Sequence, residues 1–225
     1  MKKLVKLLFW AIVLLPFRPG HSINQIRALI HFINDLLTLR KQSITAQIAI
    51  PFGKLSPCLF DRYNQSGSAS GHYFHQDLLV ARRIFANNPE LHVDIGSRID
   101  GFVAHVASYR NIEVFDIRPL QANIPNITFI QKNLLEPDHG MTNYCDSISC
   151  LHAIEHFGLG RYGDPVVYDG YLFALDNITK ALRQGGKFYV STPIGPQRIE
   201  FNAHRVFSVS CLLDLFTGRY HVDSF

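Results

Sequence analysis

The chain has no C-x-x-C pair. Its four cysteines, Cys58, Cys145, Cys150 and Cys211, are scattered, which excludes a paired-thiol redox motif or a zinc ribbon. Cys145 and Cys150 fall within an apolar run that reads as a buried strand, so they are expected as core thiols, an arrangement suited to a reducing compartment. No apolar run reaches the ~17 to 25 residues that a membrane-spanning helix needs. The longest, residues 7–15, is closed by Pro16 and followed by Arg18, and no small-x-small cleavage site follows, so neither a spanning helix nor a cleaved export signal is expected. Charge is also sparse: 18% of residues are charged and 47% hydrophobic. That is too apolar for a disordered chain and too interrupted for a polytopic membrane protein. The formal charge of +4 owes much to Lys2, Lys3 and Lys6 at the start. No basic stripe interleaved with aromatics tracks a phosphate backbone, and no nucleic-acid partner is expected.

What is present divides in three, and 225 residues suit one α/β domain with an appendage. Residues 1–42 form a hydrophobic and amphipathic helical segment. Within it, residues 23–39 place apolar side chains at 23, 26, 29, 30, 33, 36 and 37, one helical stripe. Two readings of that stripe stay open: a monotopic contact of residues 1–40 with a membrane interface, its lysines facing anionic headgroups, or a helix packed on the domain. Residues 43–71 carry Pro51, Gly53, Pro57, Gly67 and Gly71 and a polar run, which reads as a linker.

From residue 72 onward the pattern becomes regular. A helix stopping at Asn88-Pro89 leads into "LHVDIGS", a helix over about 101–109, "IEVFDI", "ITFIQK", "CDSISCLH", a long helix over 171–182, "KFYVSTP", a helix around 208–216 and a final "YHVDSF". Short β-rich runs alternating with helix-length segments predict a doubly wound α/β domain, a mostly parallel sheet with helices on both faces. No internal repeat is present.

The chemistry concentrates at strand ends. Asp116 closes the second strand 20 residues after Gly96 at the end of the first. In doubly wound folds an acidic residue at that distance accepts hydrogen bonds from ribose hydroxyls. Arg98 and Asp100 stand where such turns commonly carry glycine, so G-x-G-x-x-G is not met and a nicotinamide-dependent sugar enzyme is disfavoured. Asn133 follows the third strand, placed to meet an adenine edge or simply to make a turn. The fourth strand runs directly into His152, Glu155 and His156. Formally this is H-x-x-E-H, a zinc signature, but that motif needs a helix and a third ligand, whereas here it follows a strand and precedes glycines 158, 160 and 163.

Three stretches, "AIEHFG", "LRQGGKFYVSTP" and "NAHRVFS", resemble S-adenosylmethionine-dependent methyltransferases of the Rossmann-like class. With "HVDIGSRIDGFVAHVAS", "EVFDIRPL" and "PIGPQRIEFNAHRVFS", residues 72–207 resemble the bacterial domain-of-unknown-function 268 family. The resemblance implies a methyl donor, S-adenosylmethionine, held by Asp94, Gly96, Ser97, Arg98, Asp116 and Asn133. Asp94 would fix the donor's amino-acid end or organise the turn. Arg98 would clamp the donor, bind an anionic acceptor or block the pocket.

It further implies a proton-accepting histidine, His156 before His152, with Glu155 orienting it; the alternative is that Glu155 and His156 cap and pin the loop. Arg161, Arg198, His204 and Arg205 would meet a sugar-rich or anionic small-molecule acceptor. No metal is implied. The expected function is methyl transfer to a glycan or glycan precursor in surface-polysaccharide synthesis, at the cytoplasmic face of a membrane; the alternative is a silent Rossmann-like protein binding a nucleotide or a partner. The class closes its sheet with two strands after the fifth, and "RYHVDSF" supplies only one, so the last antiparallel strand is expected to be absent.

Overall fold

The computed structural model describes residues 19–136 and 141–224. These fall into two compact units that divide between Ala69 and Ser70. Among its described residues the first contains one long helix, α1 (Pro19–Gln42), longer than the apolar periodicity alone indicates. An irregular segment follows, with two short turns of 3-10 helix, Ser43–Thr45 and Asp61–Tyr63. Residues 1–18, which include the apolar run at 7–15, lie outside the described residues.

The second unit is built on five strands: β1 (His92–Ile95), β2 (Ile112–Asp116), β3 (Ile127–Gln131), β4 (Cys145–Leu151) and β5 (Leu182–Ser191). They pair in the order β3-β2-β1-β4-β5, and every pairing is parallel. This is the doubly wound architecture that the alternating pattern predicted, and its strand order is that of a Rossmann-like sheet. A parallel sheet needs cover on both faces because the crossovers deliver it. On one face, α2 (His72–Asn87) sends in Val80, Ala81 and Ile84, and α3 (Ala104–Ala107) sends in Val106, against Ile112 and Val114. On the other, α4 (Gly170–Ala181) packs Ala174, Leu175 and Ile178 on Val93, Phe115 and Ile148. Cys145 and Cys150 are buried free thiols in β4, as expected of them.

The structure departs from the sequence reading in three places. The helix expected over 101–109 is a widened turn, Ile99–Val103, followed by only four helical residues, because Gly101 adopts φ −122° and ψ −112° and breaks the spiral. Between "KFYVSTP" and the last helix, where no strand was expected, the chain forms a hairpin, β6 (Arg198–Glu200) antiparallel to β7 (His204–Val206), outside the main sheet. The final "YHVDSF" pairs with no strand among the described residues, and β5 forms the sheet edge. Side chains tether that tail instead: Tyr220 exchanges a hydrogen bond with Thr179 and packs on Phe188, Lys187 binds Asp223, and Arg83 donates to Ser224. The last helix, α5 (Val209–Phe216), starts where Ser208 accepts from the Cys211 N–H, an N-cap.

Candidate active site

The carboxyl ends of β1, β2 and β4 open onto one cleft, whose empty space, open solvent included, is about 540 Å³. Its position follows from the strand order: the chain leaves β1 toward β2 on one side while β4 lies on the other, and crossovers diverging from that point leave a crevice.

The turn after β1 forms the near wall. Gly96 has φ +71°, a conformation side chains rarely adopt, and a Cβ there would stand 3.0 Å from that of Ala153 across the cleft. The turn is held from beneath by Asp94, which is fully buried and accepts from the Ser97 N–H (3.0 Å), the Ser97 hydroxyl (2.7 Å) and the Ser149 hydroxyl (2.5 Å). Burial pushes its pKa up to about 6 against those hydrogen bonds. Of the two roles open to Asp94, its contacts are those of a turn organiser, and Ser97, also buried, is part of the same brace.

The brace continues into the sheet. Because the Ser149 hydroxyl donates to Asp94, it accepts from His92 Nε2 (3.1 Å), leaving His92 Nδ1 to accept from the Ser147 hydroxyl (2.7 Å). His92 is fully buried, and that burial pushes it down to about 3. Arg98 is largely exposed and makes a bidentate pair with Asp100 (2.8 and 3.1 Å). The two unusual residues of this turn therefore satisfy each other at the surface.

Asp116 stands at the end of β2 and lines the cleft. Arg118, which the sequence reading did not single out, holds it: the guanidinium reaches both carboxylate oxygens (2.6 and 3.0 Å) and the Arg118 N–H adds a third bond (2.8 Å). The same guanidinium lies 4.4 Å from the centre of the Tyr162 ring. The i, i+2 spacing of Asp116 and Arg118 was visible, but Tyr162 comes from a loop 44 residues on, so the sandwich exists only in the fold. Asn133 also lines the cleft, with its amide engaged in a turn: Oδ1 accepts from the Leu135 N–H (3.0 Å) and Nδ2 donates to Glu136 (3.2 Å).

The far wall follows β4. His152 takes a left-handed φ of 52°, its N–H bonded to the Ser191 carbonyl, and its ring is flanked by those of His72 and Tyr73 at 5.1 and 4.8 Å. A single 3-10 turn, Ile154–His156, then brings the other two residues round. Glu155 is buried, with one oxygen 3.3 Å from His152 Nδ1 and 3.9 Å from His156 Nε2. Its second oxygen has no hydrogen-bond partner among the described residues. His156 Nδ1–H donates to the Ala203 carbonyl (2.7 Å), so Nε2 carries the lone pair. Burial lowers the His156 pKa, which keeps the ring neutral and able to accept a proton near neutral pH. His152 and His156 do not project from one α-helix, the arrangement on which the H-x-x-E-H zinc reading depends.

The loop beyond is wound around Asp164, whose carboxylate accepts from the N–H groups of Gly158 (2.7 Å), Gly160 (3.3 Å) and Tyr162 (3.3 Å). Gly158 has no room for a side chain, since a Cβ there would fall 2.0 Å from the Val167 carbonyl oxygen. Of the four expected acceptor residues, Arg161 and His204 lie near His156, Arg161 donating to the Ala203 carbonyl (2.8 Å) that also accepts from His156 and the His204 ring standing 6.5 Å from that of His156; Arg198 in β6 donates to Glu200 (2.8 Å), and none of the three is among the residues that line the cleft.

Arg205 is placed differently. Only 4% exposed, it donates to the carbonyls of Phe157 (2.6 Å), Tyr168 (2.8 Å) and Glu155 (3.4 Å) and lies over the Tyr171 ring. Its guanidinium pins the loop after β4, which places it as a structural cation. No spacing rule marks it, since its partners lie 37 to 50 residues away.

Solved structures similar to this chain include a 1,6-didemethyltoxoflavin-N1-methyltransferase from Burkholderia thailandensis, with bound 1,6-didemethyltoxoflavin and S-adenosylhomocysteine, at 18% identity and a TM-score of 0.46, covering 63% of this chain and 65% of that one. An amino pentose methyltransferase from Micromonospora echinaspora, bound to S-adenosylmethionine, is similar at 18% identity and a TM-score of 0.45, covering 58% and 55%. The chain thus spans less than two thirds of the length of either. No curated protein matches it. Residues 115–225, just under half of the chain, match the family model described as "Caenorhabditis protein of unknown function, DUF268", a description that names Caenorhabditis and not the bacteria from which the motifs were expected.

Proposed function

We propose that this protein transfers a methyl group from S-adenosylmethionine to a hydroxyl or amine of a glycan or glycan precursor. One observation supports the reading: Asp116 and His156, a carboxylate and a neutral imidazole, line the same cleft at the carboxyl ends of the strands. The residues present suit the donor. Gly96 opens the turn, Phe115 and Leu134 offer apolar surface, and Asp116 is the acceptor a ribose diol requires. When bound, the donor supplies an electrophilic methyl carbon on a sulfonium.

The chain's own part is then positioning and proton removal. Binding in the cleft holds the acceptor in line, from which most of the acceleration of such a displacement derives. His156 takes the acceptor's proton at Nε2 while the Ala203 carbonyl holds the other ring nitrogen. Glu155 steadies the resulting imidazolium from 3.9 Å. Arg161, Arg198 and His204 offer donors to sugar hydroxyls. The surface-polysaccharide role rests on the motifs alone.

A second reading, ligand binding without transfer, is favoured by Arg118, which already occupies both oxygens of Asp116. Calorimetry with S-adenosylmethionine tests both. The transferase reading expects saturable heat that Asp116→Ala abolishes, and methylation of a sugar acceptor that His156→Gln slows by ~10²-fold or more. No heat at millimolar donor would overturn it, and donor binding with no turnover on any sugar would leave the binding protein.

A further inference from the structure

We propose that the N-terminal unit docks on an anionic lipid surface through one face of α1 and the segment that follows it. Two independent observations carry this, one of charge and one of exposed apolar surface.

Charge is divided unevenly along the chain. Residues 1–69 hold nine Lys and Arg against two acids, Asp35 and Asp61, a net of +7; the remaining residues hold 13 against 16, a net of −3. One of those two acids, Asp35, is paired with Arg62. The chain's overall +4 therefore hides a cationic unit joined to a mildly acidic one, and a negatively charged surface attracts the first selectively.

Apolar surface is exposed on the same unit. Ile26, Ile30, Ile33 and Leu37 recur at spacings of four, three and four and share one face of α1. Ile26, Ile30 and Leu37 are each more than half exposed. This is not the face the helix buries, which carries Gln25 and Ala28. Exposed Arg27, Arg40 and Lys41 flank the stripe. Beyond the helix, Ile44, Ile48 and Ile50 are each about four-fifths exposed. An apolar stripe bordered by cations suits a helix lying in the plane of a bilayer interface, side chains in the acyl boundary and guanidinium groups at the phosphates. None of the described helices is long and apolar enough to cross a membrane. The contact is therefore peripheral for this part of the chain.

The test is co-sedimentation of the full chain with vesicles of phosphatidylcholine alone and of phosphatidylcholine with 30% phosphatidylglycerol. Alongside the wild type run Ile26→Gln/Ile30→Gln/Leu37→Gln and Arg40→Gln/Lys41→Gln, each shown by circular dichroism to keep its fold. Binding is expected only on the anionic vesicles, weakened about fivefold for each cation removed, lost by more than tenfold in the triple variant, and suppressed by 0.5 M salt. Equal binding to both vesicle types, no binding, or binding unchanged in the α1 variants overturns the proposal. So does self-association without vesicles that the triple variant abolishes, which would assign the face to a second copy.

Discussion

Replacing Asp94 by asparagine tests whether the turn beneath the donor cleft rests on a carboxylate ionised at a cost. Asp94 is wholly buried with a pKa of about 6, against 3.8 when free, a difference of about 3 kcal/mol. A carboxyl group whose folded pKa is raised binds its proton more tightly in the folded state. Its ionisation therefore destabilises the fold above pH 6, and the loss is recovered as pH falls toward 3.8.

His92, two residues away in the same hydrogen-bonded chain, works the other way. Its folded pKa is lowered to about 3, so stability falls as pH drops below 6.5, where the unfolded imidazole takes up a proton. Between pH 6 and pH 4 the two slopes nearly cancel in the native protein. Asp94→Asn removes only the first. Asparagine keeps the shape, accepts the Ser97 N–H and donates to a serine hydroxyl, at the cost of about 1 kcal/mol for weakened hydrogen bonding. The variant is thus expected to be about 1 to 2 kcal/mol more stable at pH 7, with that advantage shrinking by about 1 kcal/mol at pH 5. Urea unfolding of both proteins at the two pH values measures it. A difference that stays constant with pH would show that folded Asp94 is already ionised at pH 5, its pKa not raised, and the argument from burial would fail.

Two further outcomes follow from the site. Arg205→Met should lower stability by about 3 kcal/mol or more, because it leaves the carbonyls of Phe157 and Tyr168 without their buried donor; a melting curve within a degree of the wild type would contradict this. With the proposed sugar acceptor, kcat should hold its plateau to below pH 6.5 in the wild type, since burial lowers the His156 pKa, and a rate already falling at pH 7 would exclude His156 as the base.

The doubly wound domain was legible because parallel strands and their crossover helices leave local signatures: β-rich runs of six to eight residues, then an apolar period near 3.6. Strand ends were legible for the same reason, so Gly96 and Asp116 could be placed in one crevice from spacing, whereas the His152–His156 stretch was placed there by its resemblance to methyltransferases. The misplacements were also physical. Gly101 breaks a helix that apolar spacing supports, and the hairpin at Arg198–Val206 pairs two strands of three residues each, too short for a period of two to show.

What sequence alone determined, then, is which residues close each strand, because burial and periodicity act over a few neighbours. Only the tertiary structure decided what those residues face. It drew Asp94 into a buried brace with Ser97, Ser149 and His92, set Arg118 between Asp116 and Tyr162, and buried Arg205 among carbonyls of a distant loop. Hydrogen bonds and ion pairs of this kind join groups tens of residues apart. Their partners are chosen by crossing geometry and desolvation, neither of which leaves a mark in local sequence.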